Sequence, residues 1–210
     1  MEESEVIDRP GPASDFAPRR VFLFSGHRID APDRRTPRFP AGREALAAQC
    51  IAQALHDWGA GPDDLALSQG ASGGEILFLE ACRRRGVRLQ MLLPFDEPEF
   101  IECAILPSVD GERWRERYHA LKAGLASSPQ VLPHGPLRLA RLQIPDDADR
   151  FERCNLWLLD TALAWGADKL YFLCLWNGGG ADGNGGTAHL YREVKRRHGR
   201  VVWFDTRSLW

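Results

Sequence analysis

Three short segments of the sequence combine glycine with hydroxyl, imidazole or guanidinium side chains, and each directly follows a run of apolar residues. They are residues 25–28 (Ser-Gly-His-Arg), 69–75 (Gln-Gly-Ala-Ser-Gly-Gly-Glu) and 176–187, which contains six glycines. Glycine lets backbone N–H groups approach a ligand closely, and the N-terminus of a following helix attracts anions. These segments therefore predict the binding of a phosphate-bearing ligand.

Most polar and glycine positions of these segments are assigned to one ligand site. His27 lies at a strand end and outside any apolar stripe, which favours a binding role over a place in the core. Asn155 lies in an apolar helical run, where a buried amide needs a hydrogen-bond partner; the alternative is an exposed Asn near a helix start. The residues predicted to contact the ligand are Ser25, Gly26, His27, Arg28, Gly70, Ser72, Gly73, Gly74, Glu75, Arg153, Asn155, Gly178, Gly185, Gly186 and Thr187.

Several of these side chains have a second interpretation. Ser72 and Glu75 match the S-x-x-E capping box, in which both side chains bond to N–H groups at a helix start, so Glu75 is either a helix cap or a catalytic carboxylate. Thr187 is either a helix N-cap or a phosphate-binding hydroxyl. Three further arginines follow the first segment, and they either meet phosphates or lie on a solvated loop. They are Arg34, Arg35 and Arg38.

The hydrophobic pattern predicts the elements that position these segments. Short continuous apolar runs, of the kind found in strands buried on both faces, alternate with longer stretches of helical periodicity. The predicted strands are residues 21–24, 65–68, 89–93, 170–176 and 201–204. The predicted helices are residues 40–59, 73–86, 111–125, 147–165 and 187–197.

This alternation predicts an α/β fold with a doubly wound, mostly parallel sheet of about five strands. The expected strand order is 3-2-1-4-5. In such a sheet the ligand binds where the strand order reverses, which here is at the ends of the first and fourth strands. Two of the three glycine segments follow these two strands, so the predicted fold brings them together.

The overall composition is that of an ordinary globular protein. The chain has 210 residues, a net charge of −2 and 44% hydrophobic residues. This balance gives no signal for nucleic acid or for an anionic membrane as a partner. The five cysteines are scattered and lack CxxC spacing, which argues against a disulfide framework or a zinc site. The sequence therefore predicts a cytoplasmic protein that holds no metal and no cofactor.

Domain boundaries follow from local composition. Residues 1–18 mix acidic residues with proline, glycine and serine and lack the apolar core of a signal peptide, so they are predicted to form a flexible leader. Residues 19–210 are predicted to form a single domain, in which the proline-rich part at about 95–146 is a less regular insertion. The longest strongly apolar run, residues 170–176, is far too short to cross a membrane.

In order and spacing, the segments resemble the SLOG superfamily. This group includes the LOG-type (Lonely Guy) phosphoribohydrolases, the Rossmann-like domain of DprA and ligand-sensing domains of bacterial signalling proteins, and the likeness is closest to the sensor-like members. It implies a Rossmann-like fold and a nucleotide-derived ligand, and it spans about residues 20–205. The residues that carry it are 24–28, 69–75 with Glu80 and Ala81, Arg153 with Asn155, and 185–187.

The same resemblance bears on catalysis. LOG-type enzymes have a Gly-Gly-x-Gly-Thr-x-Glu-Glu segment that supplies phosphate contacts and a catalytic glutamate. Here His189 and Leu190 stand where the two glutamates would be, and glycosidic cleavage needs a carboxylate at the sugar. Arg153 matches an arginine that those enzymes use near the ribose. The candidates for a catalytic role are Glu75, Asp182 and Arg153.

Three functions remain open. The first is a module that senses a nucleotide-derived ligand and signals to a fused or associated effector domain, which the glycine segments and the absent glutamate favour. The second is an N-glycosidase or phosphoribohydrolase that cleaves a nucleoside monophosphate. The third is a protein-interaction domain with a vestigial pocket, in which exposed tryptophans such as Trp210 mark the partner surface. A membrane or nucleic-acid partner is not predicted.

Overall fold

The computed structural model describes residues 16–134, 138–144, 147–179 and 187–210. Within these ranges the chain forms an α/β fold of six strands flanked by helices. The strands are β1 (Val21–Gly26), β2 (Leu65–Ser68), β3 (Arg88–Leu93), β4 (Gln130–Val131), β5 (Leu170–Trp176) and β6 (Arg200–Asp205). The helices are α1 (Glu44–Asp57), α2 (Gly74–Arg84), α3 (Glu97–Ala104), α4 (Gly111–Lys122), α5 (Arg150–Leu163), α6 (Thr187–Arg196) and α7 (Thr206–Leu209), and two short 3₁₀ helices are Ala41–Arg43 and Ala167–Lys169.

The sheet has the order β4-β3-β2-β1-β5-β6, and every neighbouring pair is parallel. The five predicted strands are all present, and among themselves they follow the predicted order. The predicted fold class, a doubly wound Rossmann-like sheet, is therefore confirmed. The strand count was one too low, because the two residues of β4 are too short to leave a recognisable pattern in the sequence.

Strand β1 shows how the sheet is covered on both sides. Phe22 and Phe24 belong to one apolar cluster with side chains of α1, α2 and α4, whereas Val21 and Leu23 belong to a second cluster with side chains of α5 and α6. Successive side chains of a strand point to opposite faces. The two clusters therefore lie on opposite faces, which explains why β1 is apolar at every one of these positions.

The segment predicted to be an irregular insertion contains two helices and a strand. Helix α4 matches the prediction for residues 111–125, and its Trp114 and Tyr118 are fully buried. Helix α3 was not predicted, because it lies in the stretch that was interpreted as irregular, and it contains a proline. That proline, Pro98, lies in the first turn of α3, where a missing N–H costs nothing.

Part of the predicted leader packs on the rest of the fold. The Arg88 guanidinium lies 3.8 Å from the ring centroid of Phe16, and the carbonyl of Pro18 accepts a hydrogen bond from Lys169 Nζ at 3.0 Å. Residues 1–15 of the leader lie outside the described residues. The ordered fold therefore begins at least as early as Phe16.

The five cysteines are free thiols. Burial raises the pKa of Cys82 and Cys154, and it raises that of Cys174 to about 12. These three side chains serve as small apolar groups of the core. In the part of the chain that the structure describes, no helix is both long enough and apolar enough to span a membrane.

The tryptophans are mostly packed into the fold. Among the large hydrophobic side chains that the structure describes, Trp203 is the exposed one, at 38%. Trp210 stacks on Phe39 with 5.3 Å between ring centroids and is only partly accessible. Trp210 is therefore partly buried rather than exposed, because the turn of α7 packs this residue against the core.

Candidate functional site

A cavity of about 310 Å³ lies at the C-terminal ends of β1 and β5. Because β1 pairs with β2 on one side and with β5 on the other, the strand order reverses here, which is where sheets of this kind bind ligands. The volume lies within the range of small-molecule sites. The cavity is lined by residues 25–31, Arg34, Arg38, Gln69, Ala71, Glu75, Pro107, Ser108, Asp149, Phe151, Asn155, Trp176 and Thr187.

The structure brings about half of the predicted ligand contacts to this cavity. Those in its wall are Ser25, Gly26, His27, Arg28, Glu75, Asn155 and Thr187. The described residues of the prediction that lie outside its wall are Gly70, Ser72, Gly73, Gly74, Arg153 and Gly178. Gly185, Gly186 and the catalytic candidate Asp182 lie outside the described residues.

His27 joins the loop after β1 to the loop after β5. Its Nε2 accepts a hydrogen bond from the backbone N–H of Asn177 at 3.1 Å, and its own backbone N–H donates to the carbonyl of Leu175 at 2.8 Å. A ring nitrogen that accepts a hydrogen bond carries a lone pair, so the neutral imidazole has its proton on Nδ1. His27 thus both lines the cavity and holds the two strand ends together.

Two buried hydroxyl groups meet at the same place. The Oγ of Ser25 and the Oγ1 of Thr187 are hydrogen bonded at 3.0 Å. Thr187 is also the first residue of α6, and the start of a helix carries partial positive charge. An anionic group of a ligand is stabilised at such a position.

The capping box predicted for Ser72 and Glu75 is not formed. The N-cap residue of α2 is Gly73, and it makes no side-chain capping bond. The Ser72 hydroxyl bonds instead to the hydroxyl of Ser108 at 2.5 Å and to the carbonyl of Ala104 at 3.2 Å. The prediction was wrong because these partners lie far away in the sequence, and a local S-x-x-E pattern does not take them into account.

Glu75 is a buried carboxyl in the cavity wall. Its Oε2 accepts hydrogen bonds from the backbone N–H groups of Gly70 and Ala71, both at 2.9 Å. Burial raises the pKa of the Glu75 carboxyl, and the two N–H groups and the positive charge of Arg28 oppose this shift without cancelling it. A carboxyl with a raised pKa in a cleft is a feature of many functional sites.

Gly73 and Gly74 allow close packing between α2 and β1. The N–H of Gly74 donates to the carbonyl of His27 at 3.2 Å, and a Cβ at Gly74 would lie 2.9 Å from the ring of Phe24. Gly73 has a φ of +82°, and a Cβ there would lie 2.6 Å from the backbone nitrogen of Ile29. The N–H of Gly74 is therefore already bonded within the protein, which leaves its predicted phosphate contact without support.

Asn155 has the partner that a buried amide requires. The Nε2 of Gln69 donates to the Oδ1 of Asn155 at 2.7 Å, and both side chains are buried. The alternative of an exposed Asn155 is therefore excluded. The bond ties the loop after β2 to α5 within the wall of the cavity.

The loop of residues 30–39 closes on itself beside the cavity. The N–H of Asp30 donates to the carbonyl of Phe39 at 3.0 Å, and the Asp30 carboxylate accepts from the N–H groups of Arg38 and Phe39 at 2.9 and 3.0 Å. The same carboxylate lies 3.3 Å from the Nε of Arg34. Asp30 thereby holds a loop that contributes two arginines to the cavity wall.

Four of the wall residues that were not predicted from the sequence are Asp149 and Phe151 at the start of α5, and Pro107 and Ser108 in the connection between α3 and α4. Asp149 caps α5 by accepting a hydrogen bond from the N–H of Glu152 at 2.8 Å, and the D-x-x-E pattern at these positions is a signal that could have located it. Phe151 meets Phe95 edge to face at 5.2 Å. Neither Phe151 nor Ser108 has a local signal, because only tertiary packing brings them to the cavity.

His189, which stands in place of the enzyme glutamate that the resemblance implies, lies outside the cavity wall. Its Nδ1 lies 2.9 Å from an oxygen of the buried Glu152 carboxylate, and its Nε2 lies 4.0 Å from Glu193. This cluster joins α5 to α6. It therefore adds no carboxylate to the cavity.

No protein-family model matches the chain, and no curated protein matches it. Among the described residues, no group of three or more His, Cys, Asp or Glu side chains is arranged to hold a metal ion. The cavity at the ends of β1 and β5 is thus the feature on which a functional proposal rests.

Proposed function

We propose that this protein binds a nucleotide-derived ligand in the cavity at the ends of β1 and β5, and that it acts as a sensing module. The observation that carries the proposal is the convergence of complementary groups on one cavity. The hydroxyls of Ser25 and Thr187, the imidazole of His27 and three arginines all lie in its wall. Hydroxyls, a helix start and guanidinium groups are the donors that proteins use to bind phosphate.

The rest of the wall suits the base and sugar of a nucleotide. The aromatic residues Phe151 and Trp176 are part of the cavity wall, and a base stacked on an aromatic ring gains about 1–3 kcal/mol. Gln69 and Asn155 are held by their mutual hydrogen bond, so they present a preorganised polar surface. A nucleotide has a flat ring, which the aromatic residues would bind, and an anionic group, which the hydroxyls and arginines would bind.

Sensing is proposed rather than cleavage because of the position of His189. The residue that would have to be a catalytic glutamate in a LOG-type enzyme pairs with Glu152 outside the cavity. In this proposal the protein belongs to the SLOG superfamily, works in the cytoplasm and passes ligand occupancy to a fused or associated effector domain.

A thermal-shift panel of nucleotides, with the matching nucleosides as controls, tests the proposal. A ligand that binds only the folded state raises the free energy of unfolding by about 2.7 kcal/mol when its concentration is a hundredfold above Kd. One or more nucleotides should therefore raise Tm, and the nucleosides should not. The Thr187→Val variant should lose most of the shift. A panel without any shift, or an equal shift for wild type and variant, would contradict the proposal.

One observation favours a second function, the N-glycosidase or phosphoribohydrolase. Glu75 places a buried carboxyl in the cavity wall, and its raised pKa suits a general acid that protonates a leaving base. Chromatography of nucleoside monophosphates incubated with the protein tests this alternative. Release of free base that Glu75→Gln abolishes would establish the enzyme, whereas a thermal shift without base release supports the sensor.

A further inference from the structure

Among the described residues, the arginines of the cavity wall come from a single stretch of chain. Arg28, Arg34 and Arg38 line the cavity, whereas Arg35, which lies between them in the sequence, does not. The hydroxyl pair of Ser25 and Thr187 comes from different elements, the end of β1 and the start of α6. The wall therefore contains two separate groups of side chains suited to anions.

Two of these arginines, Arg28 and Arg34, are hydrogen bonded to other parts of the protein. The Nε of Arg34 donates to the carbonyl of Thr36 at 3.1 Å and lies 3.3 Å from the Asp30 carboxylate. The Nη1 of Arg28 donates to the carbonyl of Cys103 at 2.5 Å. Side chains that are already positioned lose less conformational entropy when they bind a ligand. The side chains of Arg28 and Arg34 are therefore already positioned beside the cavity.

The three carboxyl groups that the described residues contribute to the wall each accept hydrogen bonds from backbone N–H groups. Asp30 accepts from backbone N–H groups of its own loop, Asp149 caps α5, and Glu75 accepts from the N–H groups that precede α2. These hydrogen bonds fix the positions of the carboxyl groups, and Asp30 also pairs with Arg34. The arginines place positive charge in the same wall, and a guanidinium group matches the geometry of a phosphate with two parallel hydrogen bonds.

We infer that the ligand carries at least two phosphate groups, one near Ser25 and Thr187 and one bound by Arg34 and Arg38. This inference rests on the proposed function and specifies its ligand class. A nucleoside monophosphate fills only one of the two anion-binding groups, so it binds more weakly than a nucleotide with two phosphates. The second phosphate is attached either at the same ribose position or at another one, and different probes separate these cases.

Isothermal titration calorimetry of the wild-type protein with three classes of probe tests the inference. The probes are the 5′-monophosphates, 5′-diphosphates and 3′,5′-bisphosphates of adenosine, guanosine, cytidine and uridine. Hydrogen bonds to charged groups change affinity by about tenfold or more each, so at least one two-phosphate probe should bind at least about tenfold more tightly than its monophosphate. The class that gains affinity identifies where the second phosphate is attached.

Variants of the arginines test whether these side chains cause the gain in affinity for two-phosphate probes. The double variant Arg34→Gln with Arg38→Gln should reduce the affinity for the two-phosphate probe to that for the monophosphate. The matched control Arg35→Gln removes the same charge from the same loop and should keep the preference. A double variant that loses its native Tm is replaced by the single Arg38→Gln, for which a partial loss of the preference is expected.

The outcomes separate this inference from the proposed function. A monophosphate that binds as tightly as both two-phosphate probes overturns the inference and leaves the proposed function standing. An equal preference in wild type and in the double variant overturns the role of the arginines. If none of the twelve nucleotides binds at millimolar concentration, both the inference and the proposed function are overturned.

Discussion

The Nε2 atom of His27 accepts a hydrogen bond from the backbone N–H of Asn177, a residue 150 positions further along the chain. The bond links the loop after β1 to the loop after β5, the two strand ends between which the cavity lies. Because a protonated imidazole has no lone pair at Nε2, the bond requires the neutral ring. The imidazole therefore contributes both to the cavity wall and to the position of the loop that leads to α6.

Removal of this imidazole should weaken ligand binding more than it weakens the fold. His27→Ala leaves the N–H of Asn177 without its acceptor, which costs about 1 kcal/mol of stability, and we expect the affinity for the best nucleotide of the panel to fall about tenfold. The control is His56→Ala, an exposed position on α1. Calorimetry and urea unfolding measure the two effects, and an equal loss of affinity in both variants would refute a specific role for His27.

Loss of the Thr187 hydroxyl at the start of α6 should weaken ligand binding and the fold, as loss of the His27 imidazole should. Thr187→Val keeps the shape of the side chain but leaves the Oγ of Ser25 without the bond at 3.0 Å, so we expect a stability loss of about 1 kcal/mol and weaker nucleotide binding. Thr161→Val makes the same chemical change on α5 at a position outside the cavity wall. The prediction fails if both threonine variants bind the nucleotide as the wild type does.

A side chain at Gly74 should destabilise the fold itself. The Cβ of Gly74→Ala would lie 2.9 Å from the ring of Phe24 and 3.3 Å from the carbonyl oxygen of His27, and such overpacking costs about 1–3 kcal/mol. At Gly42, a Cβ would meet nothing within 4 Å, so Gly42→Ala should leave the free energy of unfolding nearly unchanged. Urea unfolding curves of the two variants give the comparison, and equal midpoints would show that the packing at Gly74 is more tolerant than its geometry implies.

The raised pKa of Glu75 predicts a specific dependence of stability on pH. The folded state holds the proton of this carboxyl more tightly than the unfolded state does. The stabilisation is therefore complete below the ordinary carboxyl pKa of about 4.3, and it is lost as the pH rises through the raised value. Within that window the wild type loses at most about 1.4 kcal/mol per pH unit through this group.

The Glu75→Gln variant isolates this effect. Its amide oxygen can still accept the N–H groups of Gly70 and Ala71, but it does not ionise. The variant should therefore gain stability relative to the wild type as the pH rises from about 4 to 8, which urea unfolding at several pH values measures. The same change at exposed Glu116 on α4 controls for the general effect of removing a negative charge, and a constant difference between wild type and Glu75→Gln would refute the prediction.

Predictions from the sequence were most successful for the strands, because buried strands leave short runs of apolar residues in the sequence. Strands β1, β2, β3, β5 and β6 lie where short apolar runs predict them. The pattern is clearest in β1, β2 and β5, because a strand covered on both faces has apolar side chains at successive positions. The edge strand β4 escaped prediction because it is held by two backbone pairings with β3 rather than by a hydrophobic pattern of its own.

By itself the sequence determined the fold class, the order of five strands and the expectation that chemistry lies at the ends of β1 and β5. Only the tertiary structure decided which residues near those ends serve packing and which line the cavity. The ring of Phe24 opposite Gly74, the hydroxyl of Ser108 at Ser72 and the amide of Gln69 at Asn155 are all contacts between distant parts of the chain. A side chain's role depends on such partners, and no local spacing encodes them.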